Sequence, residues 1–266
     1  MDQRTLEQAL AGLPLAKIAF FARVGSTNDV AAGWATAGEP GICLAVADEQ
    51  TKGRGRAGRG WHTPPGAALA FSLLLPDLPG VDREKLGLVS GLGALAVCEG
   101  LEELFGAPTE IKWPNDVLVG GKKVCGVLAE AQWSGDELQA LVLGIGINIA
   151  SSSMPPAEML NFPASSLEEA LARQVERKAV LAKALERLFA WRERLGTPEF
   201  VAAWEQRLAY RGKLVQLEGA GEGPVEGRVQ GLGPDGSLRL ELADGAVNAF
   251  RVGEIGLRPA HHGASK

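Results

Sequence analysis

The rhythm of apolar and polar positions changes several times along the chain, and each change predicts an element. Residues 1–13 read as a short helix and residues 16–24 as an apolar strand that stops at Gly25. The polar turn Ser26-Thr27-Asn28-Asp29 then supplies the hydroxyl and amide side chains favoured at a helix start, ahead of a helix over 30–37. Residues 42–47 and 67–75 are apolar runs of strand length, with a glycine- and arginine-rich loop hanging between them. Residues 82–105 have the length and apolar density of a core helix. Gly87, Gly91, Gly93 and Gly100 each weaken it by up to roughly 1 kcal/mol, so tertiary packing must hold it. Residues 117–119, 124–132 and 138–149 predict a meander with turns at Gly120-Gly121 and Ser134-Gly135-Asp136. The fold class this order predicts is α+β: a mixed, mainly antiparallel sheet with helices packed on one side of it.

A Ser/Pro-rich loop over 151–166 leads into two amphipathic helices, 167–195 and 198–208. At Tyr210 helix formers give way to short alternating segments, 213–218, 225–232 and 237–243, separated by glycine-rich turns. Their spacing predicts a small β-barrel of roughly 50 residues, a size that usually leans on a neighbour. The expected organisation is a main domain over 1–209, the barrel over 210–260 and a loose tail over 261–266, with no internal repeat.

Composition narrows the class. The 266 residues are 46% hydrophobic and 22% charged, as a globular chain is. A net charge of -5 and a pI of about 5.4 argue against a surface that grips nucleic acid throughout, and leave one basic patch, Lys52 to Arg59. Cys43, Cys98 and Cys125 lie singly in apolar runs and predict buried thiols rather than a disulfide framework. The charged amino terminus lacks the apolar core of a secretory signal, and no apolar run reaches membrane-spanning length. Cytoplasmic residence without membrane attachment is the expectation.

The chemistry concentrates in three runs. The first is Gly53-Arg54-Gly55-Arg56-Ala57-Gly58-Arg59-Gly60-Trp61, preceded by Gln50. Arginines alternating with glycines between two strands make a cationic loop whose backbone can approach an anion and whose guanidinium forks can grip phosphate or carboxylate. A solvated charge run or an RNA-binding segment has the same composition. The spacing is not that of a Walker phosphate loop. The second run is Ile111-Lys112-Trp113-Pro114-Asn115-Asp116 with Gly121-Lys122-Lys123-Val124-Cys125-Gly126 behind it. A lysine entering an apolar strand is costly to bury unless an anion neutralises it, which makes Lys123 a ligand candidate and Asp116 its support or a metal ligand. The plain alternative is a strand-ending turn. The third is Gly144-Ile145-Gly146-Ile147-Asn148, where glycines either admit a ligand or mark a β-bulge.

Taken in order, with Ser26-Thr27-Asn28 upstream, these runs resemble the catalytic domain of biotin-protein ligases over nearly the whole chain. The arginine–glycine loop ending in Trp61 and the Lys-Trp-Pro-Asn-Asp run are specific together; the other two would be weak alone. The resemblance implies that biotin and ATP form biotinyl-5'-AMP, with Mg²⁺ accompanying the ATP phosphates, and that a lysine of a biotin carboxyl carrier domain, such as that of acetyl-CoA carboxylase, then takes the biotin. It implies a biotin ligase fold akin to class II aminoacyl-tRNA synthetases and a carboxy-terminal SH3-like barrel. Arg54, Arg56, Lys123 and Asp116 fall at the catalytic positions, Asp116 as the support of Lys123. Ser26, Thr27, Asn28, Gln50, Gly53, Arg54, Lys123, Gly126, Leu128, Gly144 and Gly146 fall at the biotin site. Arg54, Arg56, Arg59, Trp61, Lys112, Asn115, Lys123 and Asn148 fall at the adenylate site, Trp61 beside adenine and Asn148 at its edge. The loop is expected to order with ligand and exclude water from the mixed anhydride.

Two departures qualify the resemblance. Relatives often carry basic residues where this chain has Ala57 and Gly60, so the loop here is less charged. Relatives that double as repressors carry an amino-terminal winged helix-turn-helix, and the roughly twenty residues before the first strand are too few for one, so no DNA binding is expected. The family also uses a sheet edge for self-pairing or for docking the carrier, which makes a homodimer an option. The alternatives are a lipoate-protein ligase, which shares fold and chemistry, and a non-catalytic RNA-binding module built on the arginine loop.

Overall fold

The computed structural model describes residues 1–76, 78, 81, 85–135, 137–156, 160, 162–218, 223–251 and 256–259. Their centre is a seven-stranded sheet made of β1 (Lys17–Phe21), β2 (Cys43–Ala47), β3 (Ala68–Leu75), β4 (Thr109–Lys112), β5 (Asp116–Val119), β6 (Lys122–Ser134) and β7 (Glu137–Asn148), in the order β1-β2-β3-β7-β6-β5-β4. Only β1 and β2 run parallel, joined through α2 (Thr27–Thr36); the remaining pairs are antiparallel, as the meander pattern predicts. The short β4 was not among the expected strands.

Several expected boundaries shift for local reasons. Helix α1 (Gln3–Ala9) starts at a capping box, with Thr5 N–H donating to Asp2 Oδ1 (2.9 Å) and Asp2 N–H to Thr5 Oγ1 (3.2 Å), and it ends short of residue 13. Ser26 is the N-cap residue of α2, but its side chain makes no capping bond, and Thr27 and Asn28 lie inside the first turn. The core helix is α3 (Leu86–Phe105); residues 82–84 of the expected span lie outside the described residues. The single helix expected over 167–195 is two, α4 (Leu167–Leu171) and α5 (Arg177–Arg192). Ala172 takes a left-handed conformation (φ 50°) that stops α4, and the crossing segment buries Val175 before α5 restarts. The turn residue Asp136 and the tail 260–266 also lie outside the described residues.

Helices cover both faces of the sheet, not one. Side chains alternate along a strand, so residues two apart share a face. Leu69, Phe71 and Leu73 of β3 and Leu143, Ile145 and Ile147 of β7 join the large buried cluster that includes α3 and α5. Cys43, Leu74 and Val142, of opposite parity, form a separate small cluster with Ala31, Ala32, Trp34 and Ala35 of α2. A single helix there leaves most of that second face open to form a site.

After α6 (Pro198–Gln206) the chain forms a second, antiparallel sheet from β8 (Leu214–Glu218), β9 (Val225–Leu232), β10 (Leu238–Glu241), β11 (Val247–Phe250) and β12 (Gly256–Pro259), in the order β11-β10-β9-β8-β12. It leans on the first as its small size requires. Val215, Leu217, Val229 and Leu238 belong to the main buried cluster, Trp113 Nε1–H donates to Gly236 O (2.9 Å) and Leu232 N–H to Glu205 Oε2 (2.8 Å).

Candidate active site

The three runs singled out by composition, and the hydroxyl turn, surround one cavity of about 550 Å³ on the α2 face of the sheet. Ser26, Thr27 and Asn28 enter from the start of α2, and Gln50, Gly53, Arg54, Arg56, Arg59 and Trp61 from the loop between β2 and β3. Lys112, Asn115 and Asp116 come from the β4–β5 turn. Lys123, Gly126 and Leu128 of β6 and Gly144, Gly146 and Asn148 of β7 complete the wall. The strands bring Ser26 and Asn148, 122 positions apart in the chain, to line the same space.

Two glycines of β7 make the floor possible by close approach. A Cβ on Gly144 would stand 2.1 Å from Asn28 Oδ1, and one on Gly146 would stand 2.3 Å from the Trp61 ring. Opposite Gly146 in register lies Gly126, also against the Trp61 ring. The indole therefore lies on a surface of bare backbone.

At one end a polar chain runs beneath the cavity. Thr27 N–H donates to Gln50 Oε1 (2.8 Å), and Gln50 Nε2 donates to Thr63 Oγ1 (3.1 Å). The buried Ser72 hydroxyl lies 2.7 Å from Thr27 Oγ1 and 2.5 Å from Asn28 Oδ1. With one proton per hydroxyl, a consistent arrangement has Thr27 donating to Ser72 and Ser72 to Asn28. Asn28 Nδ2 donates onward to Glu130 Oε2 (2.5 Å).

At the other end cations gather. Asp116, nearly buried, is held by Lys123 (2.6 Å) and Lys112 (3.1 Å). Burial alone would raise its carboxyl, but the two ammonium groups outweigh burial and keep it below the usual carboxylate range. Lys112 does not gain symmetrically: burial and the neighbouring Lys123 draw it down more than Asp116 lifts it. Its ammonium also lies 4.3 Å from the Phe162 ring. Burial likewise lowers the Arg56 guanidinium, whose Nη1 donates to Asn115 Oδ1 (3.2 Å). The loop itself folds back as a narrow hairpin, with Arg54 bridged to Gly60 and a 3-10 turn over Arg56–Gly58.

In two places the geometry adds to the expectation. Arg54 turns its guanidinium onto protein carboxylates, with Nε and Nη2 on Glu130 (3.1 and 3.0 Å) and Nη1 on Asp29 (2.7 Å), and Glu130 in particular raises its pKa. Asn148 donates to Ser165 O (3.2 Å). Ser72 and Glu130, which hold Thr27 and Asn28 in place, escaped the sequence reading, as did Met154, Pro156 and Phe162 of the loop after β7, which line the cavity. The signal that could have found the first two is a lone polar residue between apolar neighbours within a strand, Ser72 between Phe71 and Leu73 and Glu130 between Ala129 and Ala131.

Comparison with known proteins gives a consistent result. The Biotin/lipoate A/B protein ligase family model matches residues 20–148. The bifunctional ligase/repressor BirA of Bacillus subtilis is 34% identical over 231 residues, covering 85% of this chain and 70% of that one. The biotin--[acetyl-CoA-carboxylase] ligase of Mycobacterium tuberculosis is 30% identical over 256 residues, covering 93% and 92%. The solved structure of the biotin protein ligase of Aquifex aeolicus in complex with biotin and ATP superposes with a TM-score of 0.76 at 34% identity, over 92% of this chain and all of that one.

Proposed function

The chain belongs to the biotin/lipoate A/B protein ligase family, and we propose that it works on the biotin branch of it, as an ATP-dependent biotin-protein ligase. A biotin carboxylate oxygen attacks the α-phosphorus of ATP, the bond to the β-phosphate breaks, and pyrophosphate leaves. The lysine Nζ of a carrier domain then attacks the acyl carbon of biotinyl-5'-AMP, and AMP departs. The observation that carries this is the convergence of Arg56, Arg59, Lys112 and Lys123 on one cavity whose other end is a hydrogen-bonding chain of Thr27, Gln50, Ser72 and Asn28, where Arg54 is already paired with Glu130 and Asp29. Two unit negative charges 4 Å apart repel by about 4 kcal/mol at an effective dielectric of 20, so their encounter needs such a wall of cations.

Each residue then has a task. Lys123, with Asp116 fixing its direction, and Arg56, braced on Asn115, offset charge at the carboxylate and α-phosphate. Ser26, Thr27, Asn28 and Gln50 meet the ureido ring, and Gly126, Leu128, Gly144 and Gly146 leave room for its body. Trp61, Lys112, Asn115 and Asn148 serve the adenylate. No enzyme nucleophile is needed: Cys125 and Cys98 lie in the core cluster away from the cavity, and burial pushes both thiols up, Cys98 to about 12.

The carboxylates at the cavity do not fit a protein-held metal. Asp116 is taken by two lysines and Glu130 by Arg54, and no cluster of three or more metal-ligating side chains occurs among the described residues. Magnesium in this reading travels on the nucleotide phosphates. No helix among the described residues is long and apolar enough to cross a membrane. Cytoplasmic residence, the division into a catalytic domain (1–209) and an SH3-like barrel (210–260), and the use of a sheet edge by the carrier or a second copy complete the proposal. That the arginine–glycine loop turns inward over a cavity speaks against the RNA-binding alternative.

The test is incubation with ATP, Mg²⁺ and either biotin or lipoate, followed by mass measurement of the bound adenylate and then addition of a biotin carboxyl carrier domain. Biotinyl-adenylate and a carrier heavier by one biotin are expected. Adenylate from lipoate alone would sink the substrate assignment.

A further inference from the structure

We propose that Glu130 is a positioning residue, a carboxylate on β6 that fixes both the amide of Asn28 and the guanidinium of Arg54 and so makes the biotin pocket and the arginine loop one unit. The inference rests on the biotin reading above and extends it. Glu130 lies on the site face of β6, opposite Val142 and two positions beyond Leu128. Its Oε2 accepts from Asn28 Nδ2 (2.5 Å) and Arg54 Nη2 (3.0 Å), and its Oε1 from Arg54 Nε (3.1 Å). This fork-on-fork geometry fixes direction as well as distance.

The consequence for Asn28 is orientation. Its Oδ1 accepts from Ser72 (2.5 Å) while its Nδ2 serves Glu130, and turning the amide over would set oxygen against a carboxylate. The second N–H of that amide is then left for an acceptor, which suits a urea carbonyl. The consequence for Arg54 is immobility. Together with Asp29 (2.7 Å) on Nη1, Glu130 ties the first arginine of the loop to β6 and α2, so the loop is anchored at the same carboxylate that orients the pocket. The Arg54 and Glu130 side chains are 34% and 38% exposed, so the linkage is open to screening by salt.

Steady-state adenylate formation is measured for the wild type, Glu130→Gln and Asp29→Asn at low and high salt, with thermal melting alongside. Gln keeps the length but replaces one acceptor oxygen with a donor that faces the Asn28 and Arg54 donors. The expected result is a rise of about tenfold in the KM for biotin, with a smaller rise in the KM for ATP and a salt dependence of the biotin KM shallower than that of the wild type. Asp29→Asn, whose carboxylate pairs with Arg54 and with no other charged group among the described residues, should raise the biotin KM about threefold, and it decides the matter if Glu130→Gln does not fold. A biotin KM that stays put in the folded variants overturns the proposal, as do equal rises for both substrates with a lowered melting temperature. A wild type that makes no biotinyl-adenylate strikes the activity and not the anchor. Trypsin cleavage after Arg54 then decides: several-fold faster cutting in both variants supports the anchor, and unchanged cutting removes it.

Discussion

Strands β3, β6 and β7 build two unlike surfaces from the same backbone. On one face Phe71, Val127 and Ile145 stand side by side and pack under α3; one residue along each strand, Ser72, Leu128 and Gly144 stand side by side and face α2 and the cavity. Bulk is placed where burial stabilises the fold, and side chains are withheld where Asn28 and Trp61 must reach the backbone. The two faces should therefore fail in different ways when altered, one in stability and the other in chemistry.

The largest contrast pairs neighbours in β7. Ile145→Ala on the core face should cost about 3 kcal/mol, seen as a melting temperature lower by about 10 °C, with the rate per folded molecule largely kept. Gly146→Val on the site face should leave melting within a few degrees while displacing Trp61, and slow adenylate formation by roughly a hundredfold or more. Equal loss of melting temperature in both would break the division. Next in size is Lys123→Met, expected to slow adenylate formation by about a hundredfold, the share of one charged donor at a developing charge. Retention of the original rate would remove Lys123 from the reacting centre.

A pH experiment sharpens the boundary between the faces at Asp116. Its carboxyl is held below 3.8, so the folded state binds its proton less readily than the unfolded chain. That contribution to stability is present above the unfolded pKa and is lost as pH falls through the folded one. Wild-type stability should drop steeply below about pH 4, and in Asp116→Asn this acid limb should be shallower, from a lower starting point because Lys112 and Lys123 lose their partner. Denaturant titrations from pH 2 to 7 read both effects; parallel acid limbs would deny the pairing.

How much of this was legible follows from the same geometry. The loop 53–61, the turn 111–116 and the β7 glycines are contiguous in the chain, so their composition announced them, and they now line one cavity. Ser72 and Glu130 did not announce themselves, because their meaning lies in partners 44 and 102 positions away, both through Asn28. The placement of α2 opposite α3 was hidden for a related reason: Cys43 and Leu74 look like core residues, and their parity alone does not say which helix they meet. The break at Ala172 was missed because alanine is the best helix former, and tertiary demand for a buried Val175 overrode its propensity.

The smallest predicted effect extends the two-face rule into the β4–β5 turn. Ile111, Trp113 and Val117 belong to the core cluster, whereas Lys112, Asn115 and Asp116 line the cavity, so the turn too has a structural side and a chemical side. Trp113 is fully buried and its indole N–H reaches Gly236 O of the second sheet (2.9 Å). Trp113→Phe removes that one bond and leaves a buried carbonyl without this donor, a cost of about 1–2 kcal/mol. The lysines and Asn115 keep their own anchors, with Asn115 donating to Val127 O (2.7 Å) and Lys112 on Asp116. Melting should therefore fall by a few degrees while adenylate formation stays within about twofold. A rate loss of tenfold at unchanged stability would mean that the second sheet steers the turn directly, and the separation of the two faces would end at β5.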